Sequence, residues 1–582
     1  MKNRRFRHIP VLCFLVFLQG FLSGQEEGSR GSPGMDAEPE QNRSGQAQTP
    51  GIENPTGTEA PESADSATIF YIKDIAFEIQ GRSRPFALMY HGEFKKGEQL
   101  EGEAALDGYI KNKTQLLINQ RVLDAAEIEH TRGGPEADGR VPVYLLVKVV
   151  DTWNAIIVPD PRYDSNSGWQ LILKTRDYNF LGTMNPLRID LGYIHKEGDS
   201  QIGPPQDVFK FEIDSDTPFE AFGLKWNLNF DHLFSYTLAA AEGFLSYKNT
   251  TGLSVEFPIK TTKLTVGFDQ SSILNEENPA RYQAEYGNAA PFYMSSKPYG
   301  SWEIPLGLKV SRFGELAYTP EVSGNLSYRA GEGIDFWRKG PSITLSHSLG
   351  FGQVNWIGNY RNGLEASLGN INTYNWYREG WENDYGISVT WHRILAEFLG
   401  VSGRFQFRQW FFDEAFAAPQ YPDHTQIGNN LRGIVDSSVI VKHGGFMFAL
   451  NLDFPLRVLH FVPSEWLYTG KLHEWLQDKK LIRLLDFDLH ISPFIDTALV
   501  RGSKAAWGDA GEVEENDASF IPFIPFSPKG MLTGIGLELV VFPAFMRSVY
   551  LRASVGYNLN KFLETRNLPL WDELFIGFGH HY

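Results

Sequence analysis

GIGLELVVF, residues Gly534 to Phe542, decides the fold. Ile535, Leu537, Leu539 and Val541 fall on one side of an extended chain, with Gly534, Gly536 and Glu538 on the other. YLRASVGYNL repeats the pattern, with Leu551, Ala553, Val555, Tyr557 and Leu559 alternating against Arg552, Ser554 and Asn558. In LWDELFIGFGHHY, Leu574, Ile576, Phe578 and Tyr582 share a face opposite Glu573, Gly577, Gly579 and His581. Such strands suit a wall with lipid on one side and water on the other. A terminal aromatic strand is also the kind of signal that outer-membrane assembly machinery reads.

Further upstream the same alternation runs through GWQLILKTRDY, PLRIDLGYIHK, FGLKWNLNF, KLTVGFDQS, PLGLKVSRF and EVSGNLSYRA. Each segment is about nine to eleven residues, the length a tilted strand needs to cross a hydrocarbon core. Long polar loops, such as Asn275–Gly300 and Asp413–Asn429, alternate with short turns. The expectation is a mainly β protein: an antiparallel transmembrane β-barrel of about sixteen strands, give or take two.

Composition agrees. The chain has 14 Trp, 24 Tyr and 42 Phe, yet its mean hydropathy is −0.28, as expected when each strand is apolar on one face only. A secreted β-sandwich or propeller is the competing class, but its strands are usually shorter and nothing in it makes long and short loops alternate. A net charge of −17 without a basic patch argues against a nucleic-acid partner.

The N-terminal region reads differently. MKNRRFRHIP followed by VLCFLVFLQGFL is basic and then briefly apolar, too short to span a bilayer, which predicts a signal peptide over 1–24. Cys13, the one cysteine, lies inside it, so the mature chain is expected to lack disulfides, thiol catalysis and thiolate metal sites. Residues 25–67 are rich in Gly, Pro, Ser, Glu and Gln and read as a disordered linker. Residues 68–153 alternate strand and helix. IFYIKDIAFEI, AAEIEH and VPVYLLVKVV read as strands, and Ala104–Gln120 as a helix with Leu106, Tyr109, Ile110 and Leu117 on one face. This small α+β module would leave a sheet edge open to strand addition, and the barrel would occupy 154–582.

In that order the residues resemble the BamA/TamA superfamily of outer-membrane assembly and translocation proteins. VYLLVKVVDTWNAIIVPDPRYDSNSGW is similar to the end of a last POTRA domain and its entry into a barrel. HISPFIDTALV resembles the family's F-x-D-x-G strand, with Phe494 and Asp496 in place and Ala498 where glycine is usual. FMFALNLDFPL resembles the preceding strand, whose late acid is here Asp453. LRGI resembles the motif at the tip of a long sixth extracellular loop, carried by Arg432 and Gly433, with Ile434 replacing an aromatic.

Strand parity adds an independent point. In FMFALNLDF, Phe446, Phe448, Leu450, Leu452 and Phe454 would face lipid, with Asn451 and Asp453 inside. In LLDFDLHISPFID, Leu485, Phe487, Leu489 and Ile491 would face lipid. Asp486, Asp488, His490, Ser492, Phe494 and Asp496 would then face the lumen. Asp453 and Asp496 thus share one enclosed space, where the planar fork of Arg432 could meet both.

His490 beside Asp488 reads as polar lining rather than a metal ligand or proton relay, and His580 with His581 does not suffice for a metal. No P-loop, nucleophile–base order or paired-carboxylate motif stands out, so no catalytic residue and no cofactor is expected. Pro463–Arg483 is a longer connection than a turn requires. Ser464 is placed to cap a helix there, with Tyr468, Leu472, Trp475 and Leu476 on one face, lying on the membrane interface or plugging the barrel mouth.

The resemblance implies a non-enzymatic protein of the bacterial outer membrane, its module in the periplasm, that inserts or translocates clients. The implied partners are outer-membrane lipids, unfolded client proteins, and periplasmic chaperones or accessory lipoproteins. The alternative is a passive porin or a ligand-binding or lipid-exporting barrel.

Overall fold

The computed structural model describes residues 68–164, 168–196, 206–238, 243–274, 292–310, 314–329, 333–334, 341–376, 379–412, 423–426, 431–432, 437–465, 474, 483–507, 513–515, 531–559, 562–563 and 574–578. The expected signal peptide and linker lie outside these, as do Gly433, Tyr582 and most of Pro463–Arg483.

The first body is a small α+β module: β1 (Ile69–Gln80), α1 (Pro85–His91), β2 (Gln99–Glu101), α2 (Glu103–Asn119), β3 (Leu123–Arg132) and β4 (Val141–Asp151). The sheet order is β2-β1-β4-β3, with β1 parallel and β3 antiparallel to β4. Alternation along β4 buries Val143, Leu145, Val147 and Val149 against Leu106, Tyr109 and Leu117 of α2, the face that helical spacing predicts. Fully burying each aliphatic side chain contributes about 1.5–3 kcal/mol. Lys113 breaks the apolar stripe of α2. Its ammonium donates to the Glu93 carbonyl at 2.7 Å, and burial pushes its pKa down. Helix α1 and the three-residue β2 carry too little periodicity to be read from sequence.

A closed antiparallel barrel follows. Its long strands are β5 (Ala155–Asp164), β6 (Gly168–Asp177), β7 (Leu187–Lys196), β8 (Gln206–Ala221), β9 (Leu224–Leu238), β10 (Phe244–Ile259), β11 (Thr262–Leu274), β12 (Phe292–Lys309) and β13 (Glu315–Arg329). They continue with β14 (Ser342–Ile357), β15 (Tyr360–Asn375), β16 (Gly380–Ala396), β17 (Leu399–Phe412), β18 (Ser437–Asp453), β19 (Phe487–Trp507), β20 (Met531–Pro543), β21 (Leu551–Asn558) and β22 (Leu574–Phe578). Four short pieces (Gly333–Ile334, Asp423–Gln426, Leu456–Phe461 and Val513–Glu515) extend this wall locally. Among the described residues β5 to β22 make eighteen long strands, the upper end of the expected range, and β22 pairs with β5 to close the ring.

Two expectations need correcting. Most strands exceed eleven residues, up to 21 in β19, because the wall extends beyond what a hydrocarbon core requires. The loop expected over 275–300 is shorter, since β12 already begins at Phe292. Ser295, Ser296 and Pro298 hid its alternation.

Face assignments hold on β19 and β20. Asp486, Asp488, His490, Ser492, Phe494 and Asp496 are buried, whereas Leu485, Ile495, Leu537 and Leu539 are exposed on the outer wall. On β22 the backbone pairs Leu574, Ile576 and Phe578 with Val555, Ala553 and Leu551 of β21.

The module sits against one end of the barrel. Asn119, 1% exposed at the end of α2, donates to the Asn355 side chain at 2.9 Å and accepts from the Trp356 backbone N–H at 3.2 Å. The Arg121 guanidinium lies 4.2 Å from the Trp356 ring centre and donates to Asn359 at 3.2 Å. Ser548 Oγ donates to the Arg121 carbonyl at 2.7 Å, and Arg547 pairs with Asp124 at 2.9 Å. At a third turn, Arg82 pairs with Asp177 at 2.8 Å, and Asn179 donates to Ser83 Oγ at 2.9 Å.

Candidate functional site

Arg432 belongs to the connection between β17 and β18, which leaves the wall at the barrel end away from the module and folds through the lumen to the level of Asp453, near the module-side end. It is 7% exposed and follows Leu431, which is 2% exposed. Along the described strands this is the seventh connection at the end away from the module, where the resemblance implied a sixth, so the barrel has one hairpin more ahead of the motif.

Antiparallel pairing of β18 with β19 sets Asn451 opposite Asp496 and Asp453 opposite Phe494, which brings both acids to one level of the wall. Asp496 accepts three hydrogen bonds from Arg432: from the backbone N–H at 2.8 Å, from Nε at 2.9 Å and from Nη2 at 2.8 Å. Nη1 donates to Asp453 at 2.6 Å. The guanidinium carbon lies 3.8 Å from the centre of the Phe494 ring, so the plane that binds the acids also stacks on an aromatic face. Arg432, Asp453, Asp496 and Phe494 therefore meet; Gly433 lies outside the described residues.

Sequence reasoning missed a third acid. Glu538 on β20 reaches Arg432 Nη1 at 3.5 Å and Arg552 of β21 at 3.7 Å. Alternation in GIGLELVVF places Glu538 inside the barrel but cannot give its height relative to a loop residue. Arg432 ties β18, β19 and β20 together, and Glu538 extends the cluster to Arg552 on β21. Removing Arg432 or Asp496 would leave buried charge without its main partner, which typically costs about 3–5 kcal/mol.

Gly536 makes room for this packing. A Cβ there would lie 2.5 Å from Phe494 Cζ and 2.1 Å from the Val555 carbonyl. Beneath the cluster is a cavity of about 100 Å³, bounded by Tyr360, His392, His490, Ser492, Glu538 and Phe542. His490 is 1% exposed between Tyr360 and Phe542, at ring separations of 4.8 and 4.9 Å, as a lining residue. Among the described residues no group of three His, Cys, Asp or Glu could hold a metal ion. The helix expected after Ser464 lies outside the described residues. The Ser464 backbone N–H donates to Asp486 at 3.0 Å and its hydroxyl to the same carboxylate at 2.5 Å.

No family model and no curated protein matches the chain. Solved structures similar to it include BamA from Haemophilus ducreyi lacking POTRA domains 1–3 (12% identity, 88% of this chain and 83% of that one, TM-score 0.33). CdiB from Acinetobacter baumannii is similar at 13% identity, over 88% of this chain and 73% of that one, with TM-score 0.42. CdiB from Escherichia coli is similar at 10% identity over 94% of each chain, with TM-score 0.34.

Proposed function

We propose that the chain is a non-enzymatic outer-membrane barrel of the BamA/TamA kind that inserts or translocates client proteins. The reading treats 1–24 as signal peptide, 25–67 as linker, 68–153 as a periplasmic POTRA-like domain and 154–582 as the barrel. The observation that carries it is the loop cation Arg432 held by Asp453, Asp496 and Glu538. This contact braces the wall at β18–β21, next to the junction of β22 with β5, so that junction can part while the rest holds its shape.

The module supports the same reading. Strand β3 is one of the sheet's two outer strands, paired with β4 alone among the described residues, so an extended client can add to its free side. Its first residues sit beside the turn between β20 and β21, through Asp124 and Arg547, close to the junction. A docked segment is thereby delivered near the edge that would receive it. Partners on this reading are outer-membrane lipids, unfolded clients, and periplasmic chaperones or accessory lipoproteins.

Depletion followed by outer-membrane proteomics tests it: loss of many barrels marks general insertion, and loss of one protein marks a dedicated exporter. An unchanged proteome together with large, steady conductance of the purified protein in planar bilayers would mark a porin and end the proposal.

A further inference from the structure

The outer wall of this barrel is not uniformly apolar. Leu253 of β10 faces outward at 43% exposure, paired with Phe268 of β11 (47%) and Leu228 of β9 (39%). Side chains alternate, so every second residue shares that outer face. Moving away from the module, the next outward residue is Thr251, opposite Gln270, which in turn faces Ser296 of β12. One step further, Asn249 faces Ser272 on one side and His232 on the other.

These groups are bonded into rows on the outer surface. Ser296 Oγ donates to Gln270 Oε1 at 2.6 Å, Tyr328 OH reaches the same oxygen at 3.2 Å, and Thr251 reaches Asn249 at 3.3 Å. The His232 ring packs 3.8 Å from that of Phe230, with Nε2 buried inside the wall. The pattern recurs further round. From the exposed Leu368 of β15, facing Ile387 of β16, the next outward positions are Asn370, opposite His347, and Asn372, opposite Asn383.

Height makes these positions unusual. At a tilt of about 40° each residue climbs roughly 2.5 Å. The unbroken outward apolar row of β10 runs from Leu253 to Ile259, about 15 Å, where a band of about 25 Å is expected. The polar rows therefore occupy the half of the wall farther from the module, below Tyr236 and Tyr247. Plain acyl chains would leave these amides and hydroxyls without external partners.

We propose that this belt is matched by glycolipid in the outer leaflet, a lipid carrying amide or hydroxyl groups at the base of its acyl chains. Two features select lipid over a partner protein. Polar patches lie over β9–β12 and again over β14–β16, interrupted by Phe230, Leu345 and Tyr385, and lipids surrounding the wall reach both where a single docked protein does not. The belt is also built mainly from amides and hydroxyls, which match uncharged donors and acceptors rather than phosphate. The proposal rests on the barrel being an outer-membrane protein, not on its being an insertase.

The test is reconstitution of the full chain into vesicles of three compositions. These are eighteen-carbon phosphatidylcholine, the same lipid mixed with monoglycosylceramide (which carries an amide and hydroxyls beneath its sugar), and twelve-carbon phosphatidylcholine. The glycolipid vesicles should raise the unfolding temperature by roughly 4 °C or more over plain eighteen-carbon lipid. The triple variant Asn249→Leu, Thr251→Val, Gln270→Leu should lose that difference. Asn372→Leu alone should lose part of it, which keeps the test open if the triple variant does not fold. No glycolipid-dependent shift, or an equal shift in twelve-carbon lipid, overturns the proposal, the second outcome assigning the effect to bilayer thickness. Failure to float with any of the vesicles would instead overturn the membrane reading itself.

Discussion

Arg432 and Asp496 stand 64 residues apart in the chain and are joined by three hydrogen bonds inside the barrel, one of them from the Arg432 backbone. The backbone contact makes this a fixed position of the loop as well as a side-chain ion pair. Two geometries must hold together: the course of the chain at Leu431–Arg432 and the level of Asp496 on β19.

Replacing either partner breaks the pair unequally. Arg432→Ala leaves Asp453, Asp496 and Glu538 facing one another without their shared cation and should cost about 3–5 kcal/mol. Asp496→Ala should cost a similar amount. Arg432→Lys should recover less than half, because an ammonium cannot occupy the planar fork or stack on Phe494 in the same way. Thermal unfolding in detergent micelles reads this directly, and parent-like midpoints for both alanine variants would remove the brace.

Glu538→Gln should be much milder than Asp496→Asn. Its 3.5 Å contact is long, and Arg552 lies nearby at 3.7 Å. A loss of about 1 kcal/mol or less is expected, against roughly twice that or more for Asp496→Asn. Equal losses would mean that Glu538 carries as much of the cluster as Asp496.

Gly536→Ala tests the aromatic side of the cluster. Its new methyl would collide with the Val555 carbonyl and with the Phe494 ring that supports Arg432. A loss of about 1–3 kcal/mol is expected. Phe494→Leu made in the Gly536→Ala background should recover part of it by freeing space; no recovery would place the clash at the backbone alone.

The module contact should be separable from the barrel. Asn119→Ala combined with Arg121→Ala removes the side-chain bonds to Asn355 and Asn359 and the stacking on Trp356. Each lost contact is on the order of 1 kcal/mol. Faster protease cleavage near Trp153 with an unchanged barrel midpoint is the expected result, whereas equal destabilisation of both parts would mean that they unfold together.

His91 provides a pH dependence. Its Nε2 lies 3.1 Å from the Thr183 carbonyl, and burial lowers its pKa from 6.5 to about 4. The unfolded chain takes up the proton first, so module stability is fully present above pH 6.5 and falls as the pH drops toward 4. The ring keeps some exposure, which limits the loss to roughly 2 kcal/mol. Chemical denaturation at pH 7.5 and pH 4.5, compared with His91→Gln, should show a smaller drop for the variant.

Much of this protein was legible because its code is local. Period-two alternation in GIGLELVVF and LLDFDLHISPFID assigns each residue to the lumen or the outer face, and helical spacing marks the buried stripe of α2. The same parity put Asp453 and Asp496 inside before any fold was known. Helix α1 and strand β2 were hidden by their length, and the start of β12 by outward serine and proline at positions that ordinary barrel strands fill with apolar residues.

The sequence by itself determined the kind of wall and which side chains face inward, since both follow from the geometry of one extended strand. Only the tertiary structure decided which inward groups share a level. Register and barrel closure bring Glu538, 106 residues from Arg432, into the same cluster. They also place the end of α2 against Trp356, a contact 237 residues long in sequence. Such meetings depend on how strands slide past one another around a closed ring, and no single strand carries that information.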